Sequence, residues 1–268
     1  MQPDPVITLT TDFGRDDPFV GVMKGVILTI NPRATIIDLT HGIAPHDIRE
    51  AAFTIGMNYN YFPERTIHVV IVDPGVGSKR RPILVVTDRH FFIGPDNGVF
   101  SVIYEKEKAS LQVIHITADH HFLKEKSPTF QGRDVFAPVA ARLSGGMDVR
   151  NFGQRISDYK TLDLPMPNLE KNVLNGEIIH IDTFGNAMTN IRQEEIDELM
   201  KQNPEGMMKI SLAGKEVLLK EYYGQATDQT LYAVINSSEY LEFFVNCGNA
   251  AETYSILIGE TVELKITS

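Results

Sequence analysis

The sequence is short of cysteine, of positive charge and of long apolar runs, and each shortage removes a class of protein. Its single cysteine, Cys247, cannot form an internal disulfide, so a reducing compartment is expected. Lys and Arg number 25 against 35 Asp and Glu, a formal net charge of −10. That balance disfavours a nucleic-acid partner, since phosphate binding needs a basic face. No apolar stretch approaches the roughly 18 residues that a bilayer span requires. The N-terminal MQPDPVITLT lacks a basic region followed by an apolar run, so no signal peptide is expected. What remains is ordinary globular chemistry: 268 residues, 43 % hydrophobic and 22 % charged, enough for one large domain or two modest ones. The expectation is a soluble, cytoplasmic protein.

The first half alternates apolar strands with amphipathic helices. VITLT (6–10) reads as a strand, followed by Phe19, Val22, Met23, Val26, Ile27 and Ile30 at helical spacing. Gly21 and Gly25 leave one face of that helix small enough for close packing. TIIDL (35–39) and IHVVIV (67–72) are further strands, the second apolar throughout as for a strand buried on both faces. PILVVT and HFFIG follow, and a helix is expected to begin near Asp134. Such alternation predicts an α/β domain with a mostly parallel sheet and flanking helices over residues 1–162. LDLPMPNLEK (163–172) has two prolines and no apolar period, which suits a linker. Beyond it, short strands (GEIIHID, MMKISL, KEVLLK, TLYAVIN, YLEFFVN, VELKI) and one helix near 194–201 predict a small antiparallel β-barrel over 173–268.

Ligands of open parallel sheets bind at the carboxyl ends of the strands, and three polar loops sit there. The first is Thr10-Thr11-Asp12-Phe13-Gly14, with Asp16 and Asp17 either serving the site or capping the next helix. The second runs from Asp73 through Pro74-Gly75 to Lys79-Arg80-Arg81, without the spacing of a phosphate-binding loop. At least one of its three cations is expected to be plain solvated surface. The third, Ser127-Pro128-Thr129-Phe130-Gln131-Gly132-Arg133-Asp134, opens a helix; it is either a ligand-facing N-terminus or an ordinary start capped by Asp134. His41, His46, His90, His120 and His121 fall near Asp residues, yet none shows paired metal-ligand spacing. No metal site is expected.

Taken in order, ITLTTDFG (7–14), VGVMKG (20–25), DLTHGIAPHDI (38–48), VDPGVGSKRR (72–81), PDNGVF (95–100), TFQGRD (129–134), IDTFGNAMTN (181–190) and INSSEYLEFFVNCGNA (235–250) cover nearly the whole chain. The set resembles the S-adenosylmethionine (SAM) hydroxide adenosyltransferase family, relatives of the SAM-dependent fluorinase and chlorinase. The resemblance implies an α/β domain joined to a small β-barrel, a homotrimer with inter-subunit active sites, and SAM as substrate with no cofactor. It implies that Asp12 binds the ribose and Asp17 the methionine end. From the second domain, Asp182 would face the methionine amine, Phe184 the adenine face, Asn186 the adenine edge, and Ser237 the methionine carboxylate.

The family's hydrolases carry an Asp-Arg-His set around the attacking water. Asp73 and Arg80 match its first two members, but Gln131 stands where the pattern has histidine. Glutamine orients water through its amide and takes up no proton at neutral pH; His120 or His121 is the substitute that the sequence offers. Ser238 stands where the halogenating relatives have arginine. The implied reaction is displacement at ribose C5′ by water, giving adenosine and methionine. The sulfonium leaves without acid help, so the difficulty lies in aligning and activating water. A guanidinium beside a carboxylate favours its ionised form and weakens it as a base, which casts Asp73 and Arg80 as holders of the nucleophile. Two other readings stand beside hydrolysis: a non-catalytic SAM- or adenosine-binding protein, and a halogenase, which a carboxylate at Asp73 disfavours by repelling halide.

Overall fold

The computed structural model describes residues 6–267, so the expectation about a signal peptide lies in part outside the described residues. The chain divides into two compact units, one ending at Leu164 and the other starting at Pro165.

The first unit carries seven strands, β1 (Val6–Thr11), β2 (Thr35–Thr40), β3 (Ile67–Ile71), β4 (Pro82–Val86), β5 (Phe91–Pro95), β6 (Gln112–Ile116) and β7 (Gly153–Ile156). Its helices are α1 (Phe19–Ile30), α2 (Ile48–Asn58), α3 (Ser101–Lys106) and α4 (Ala137–Ser144). The strands lie in the order β2-β1-β3-β5-β4-β6-β7. The first four are mutually parallel, and β4, β6 and β7 are antiparallel to their neighbours. Helical crossovers through α1 and α2 place β1, β2 and β3 parallel, and β5 joins them after the chain has passed through β4. Where a short turn joins β4 to β5, antiparallel pairing follows, because only a long crossover can return a chain to run parallel.

Successive side chains of a strand point to opposite faces. Val69 of β3 joins Ile7, Leu9, Met23, Ile27, Phe136 and Val139 on one face. Its neighbour Val70 joins Ile55, Tyr59, Phe92, Phe100 and Ile103 on the other. This is why β3 reads, His68 apart, as an apolar run: helices cover both faces, and each buried valine contributes about 1.5–3 kcal/mol.

The second unit holds β8 (Asn168–Glu170), β9 (Val173–Ile181), β10 (Ala187–Arg192), β11 (Met207–Leu212), β12 (Lys215–Lys220), β13 (Tyr232–Ile235), β14 (Tyr240–Phe244) and β15 (Thr261–Thr267), with α5 (Gln193–Gln202) and α6 (Ala250–Tyr254). The order β10-β14-β13-β12-β11-β15-β9 closes on itself through the β10–β9 pair, making a seven-stranded barrel that leaves those strands no open edge. All its pairs are antiparallel except β12–β13. Ala213 and Gly214, both at positive φ, make the two-residue turn between β11 and β12. Residues 168–170, inside the stretch expected to be linker, form β8 by pairing with β9.

Two local expectations are corrected. Gly21 and Gly25 face no neighbour: nothing lies within 4 Å of a Cβ built on either. Asp134 is not a helix cap. Gln131 occupies that position, the helix opens with a π-turn over Gly132–Phe136, and Asp134 is fully buried, accepting the Ser127 N–H at 2.6 Å.

Candidate active site

In the register of β1 on β3, Thr11 lies opposite Ile71, so the two strands deliver Asp12 and Asp73 side by side at their carboxyl ends. Both line a cavity of about 310 Å³. Asp17, His46, Phe130 and Gln131 also form its wall, so four sequence-predicted site residues (Asp12, Asp17, Asp73 and Gln131) meet in one place. Asp17 is no cap: α1 starts after Pro18 with no side-chain capping bond.

Arg80 stands against Asp73. Its Nε donates to both carboxylate oxygens at 2.9 Å, and its Nη2 donates to Oδ2. The two side chains are 4 % and 5 % exposed, and the guanidinium carbon lies 5.4 Å from the centre of the Phe136 ring. Nη1 is buried with no hydrogen-bond partner among the described residues, and Arg80 backs Asp73 without itself lining the cavity. Sequence alone could not divide the Lys79-Arg80-Arg81 run. Lys79 is exposed, and Arg81 is used structurally, binding Asp96 at 2.7 Å and Asp158 at 2.8 Å.

The loops that carry Asp73 and Gln131 are seated on each other through Gly77. Its φ is +78°, and a Cβ there would come within 2.7 Å of the Pro128 carbonyl oxygen, so only glycine permits this approach. Asn97 donates to the Val72 carbonyl at 2.9 Å and steadies the exit of β3.

Two features escaped the sequence reading. Phe13, Phe19 and Phe130 form an aromatic wall with ring centroids 5.2–6.1 Å apart, and all three line the cavity. Their signal was present, since each adjoins a polar loop at a strand or helix end. The other is the place of His46, weighed from the sequence only as a metal ligand: its N–H donates to Asp12 Oδ2 at 2.9 Å. By contrast, neither His120 nor His121 lies on the cavity wall. His121 is buried against Phe152, with ring centroids 5.4 Å apart, and burial lowers its proton affinity.

In the second unit, Asp182, Phe184 and Asn186 share the β9–β10 turn. Asp182 Oδ1 accepts from the N–H groups of Phe184 (2.9 Å) and Asn186 (2.8 Å), and Oδ2 accepts from the Asn186 amide at 3.0 Å. The carboxylate thereby shapes the turn, and the Phe184 ring is left 75 % exposed. Ser237 lies, also exposed, in the turn between β13 and β14. Among the described residues, no group of three or more His, Cys, Asp or Glu is placed to hold a metal ion, and no helix is long and apolar enough to cross a membrane.

Comparison with known proteins agrees with this architecture. A crystal structure of an uncharacterised conserved protein from Thermotoga maritima superposes with a TM-score of 0.88 at 34 % identity, covering 97 % of this chain and 99 % of that one. A protein of Methanocaldococcus jannaschii named (R)-S-adenosyl-L-methionine hydrolase is 34 % identical over 97 % of this chain and 95 % of its own. A fluorinase of an Actinoplanes species is 26 % identical over 97 % of each. Residues 7–153 match the model of the SAM hydroxide adenosyltransferase N-terminal domain, and residues 176–263 match that of the C-terminal domain. With both domain models matched in order along nearly its full length, the chain belongs to the SAM hydroxide adenosyltransferase family.

Proposed function

We propose that this protein is an enzyme that hydrolyses SAM at the ribose C5′, releasing adenosine and methionine, with SAM as substrate and no cofactor. The observation that carries the reading is the Asp73–Arg80 pair beside a cavity that also bears Asp12, Asp17 and Gln131. The relatives named as SAM hydrolases support it.

In this reading Asp12 takes the ribose hydroxyls and Asp17 the methionine end. The Phe13–Phe19–Phe130 wall excludes water from the reacting carbon. Asp73 holds the attacking water on the line of the C5′–S bond, with the positive charge of Arg80 behind it stabilising hydroxide character as it develops. Gln131 orients that water through its amide. Asp182, Phe184, Asn186 and Ser237 serve the methionine and adenine ends from the second unit, and the assembly is a homotrimer in which a neighbouring chain's second unit completes each site. The protein acts in the cytoplasm.

The fluorinase relative raises a halide nucleophile as the rival. A buried carboxylate at Asp73 opposes it, because an anion brought beside that group meets like charge at low dielectric. Incubation with SAM, with and without added chloride, separates the two. Adenosine as the nucleoside product in both cases is expected; a chlorinated nucleoside that grows with chloride would overturn the hydrolase reading. The solution mass of the assembly tests the trimer.

A further inference from the structure

The Asp73–Arg80–Gln131 set lacks a group that can carry a proton away. Displacement by water forms the O–C5′ bond and breaks the C5′–S bond. Sulfur keeps the bonding pair and becomes a neutral thioether, so one proton of the attacking water must leave. Gln131 cannot take it at neutral pH, and Arg80 is already protonated. Asp73 keeps a lone pair with which to hold the water, but its carboxylate is paired with Arg80 through both oxygens and only 5 % exposed, so it is poorly placed to pass a proton on to solvent.

We propose that His46 accepts this proton, an inference that rests on the hydrolase reading. His46 is the one histidine on the wall of the cavity among the described residues. Its ring is 74 % exposed, and its Nδ1 lies 3.9 Å from Asp12 Oδ2. In the single chain the imidazole reaches both the cavity and solvent, the placement a group needs to take a proton from one and pass it to the other.

The local backbone fixes this placement. His46 has φ +69°, in the left-handed region that non-glycine residues seldom occupy. Asp12 accepts its N–H, the Asp47 N–H returns to the Ala44 carbonyl at 3.0 Å, and the Ala44 N–H is taken by Glu50 Oε2 at 2.8 Å. Asp47 in turn caps α2 by accepting the Glu50 N–H at 2.9 Å. Strained backbone held by this many bonds is characteristic of a placed side chain. The charged groups around it are Asp12, Asp17 and Asp73 on the wall, Arg80 behind Asp73, and Asp47 and Glu50 at the start of α2.

The test is His46→Asn, chosen because asparagine tolerates a positive φ and keeps the loop. Adenosine release is followed across pH for both proteins, with SAM affinity by calorimetry and thermal unfolding as controls. The expected result is a fall in kcat of about 10²-fold at neutral pH, smaller at alkaline pH, with SAM affinity retained and partial rescue by added imidazole. Wild-type kcat and pH profile in His46→Asn would overturn the role. So would an equal loss at every pH that imidazole does not relieve, since that marks a structural part only. If the wild-type protein itself releases no adenosine, the hydrolase reading falls first and takes this one with it.

Discussion

Replacing Asp73 with asparagine keeps the shape of the side chain and removes its charge. The pair it belongs to is almost sealed from solvent, at 5 % and 4 % exposure, so Arg80 loses its counter-charge where water cannot replace it. Breaking such a pair from one side costs about 3–5 kcal/mol. The Asn carbonyl still accepts one N–H, and the face of Phe136 lies 5.4 Å from the guanidinium carbon, so the lower end, about 3 kcal/mol, is expected. At roughly 2–4 °C per kcal/mol for a chain of this size, the unfolding midpoint falls by about 6–12 °C. The protein remains folded at assay temperature. Loss of the group that holds the nucleophile lowers adenosine release by about 10²–10⁴-fold, or roughly 2.7–5.4 kcal/mol of barrier. SAM affinity should stay within about tenfold, or ~1.4 kcal/mol, because Asp12, Asp17 and the aromatic wall are untouched. The assay is chromatographic adenosine release beside calorimetric SAM binding and thermal unfolding. Wild-type release from a folded Asp73→Asn protein would refute the reasoning. A loss of binding as large as the loss of rate would move Asp73 from the chemistry to substrate retention.

Gln131→His restores the residue of the family's hydrolase pattern at the cavity wall and should raise the rate by about tenfold; a slower enzyme in the same release assay would make glutamine a working variant. Stability should fall in acid through His68. Its ring stacks on Phe92, its Nδ1 meets Thr8 Oγ1 at 2.8 Å, and burial lowers its proton affinity from the ordinary 6.5 to about 3. The unfolded chain therefore binds more protons between those values, so the contribution is full above about 6.5 and is lost as pH falls towards 3. At pH 5 the loss is roughly 2 kcal/mol. Urea unfolding of wild-type and His68→Gln proteins at neutral pH and at about pH 5 checks it, and equal pH dependence in the two contradicts it.

Much of the fold is legible in the sequence because its central strands carry plain signals: β1 is rich in β-branched residues, β3 is apolar apart from His68, and Ala213-Gly214 is a hairpin turn. β10 is not legible. Its Thr189 and Asn190 are polar yet buried, and the Asn190 side chain is consumed by the Glu177 N–H and the Pro165 carbonyl. Polar groups satisfied by distant backbone erase the alternation that marks a strand. α3, with six residues, is too short to show a helical period.

The site follows the same division. Asp12 and Asp73 can be picked out because each follows a buried strand. The partition of labour between Arg80 and Arg81 depends on Asp96 and Asp158, which only the fold brings near. The place of His46 depends on a bond across 34 residues of chain to Asp12. Asp134 left two readings open for a related reason, since a carboxylate at a helix start reads as a cap until the fold buries it.

The central claim, water as the nucleophile at C5′, is tested most directly by one turnover in ¹⁸O-labelled water with mass analysis of the nucleoside. The account predicts adenosine carrying one ¹⁸O in its 5′-hydroxyl, formed together with an equal amount of methionine. Unlabelled adenosine, or intact SAM recovered from a protein that binds it, would contradict it.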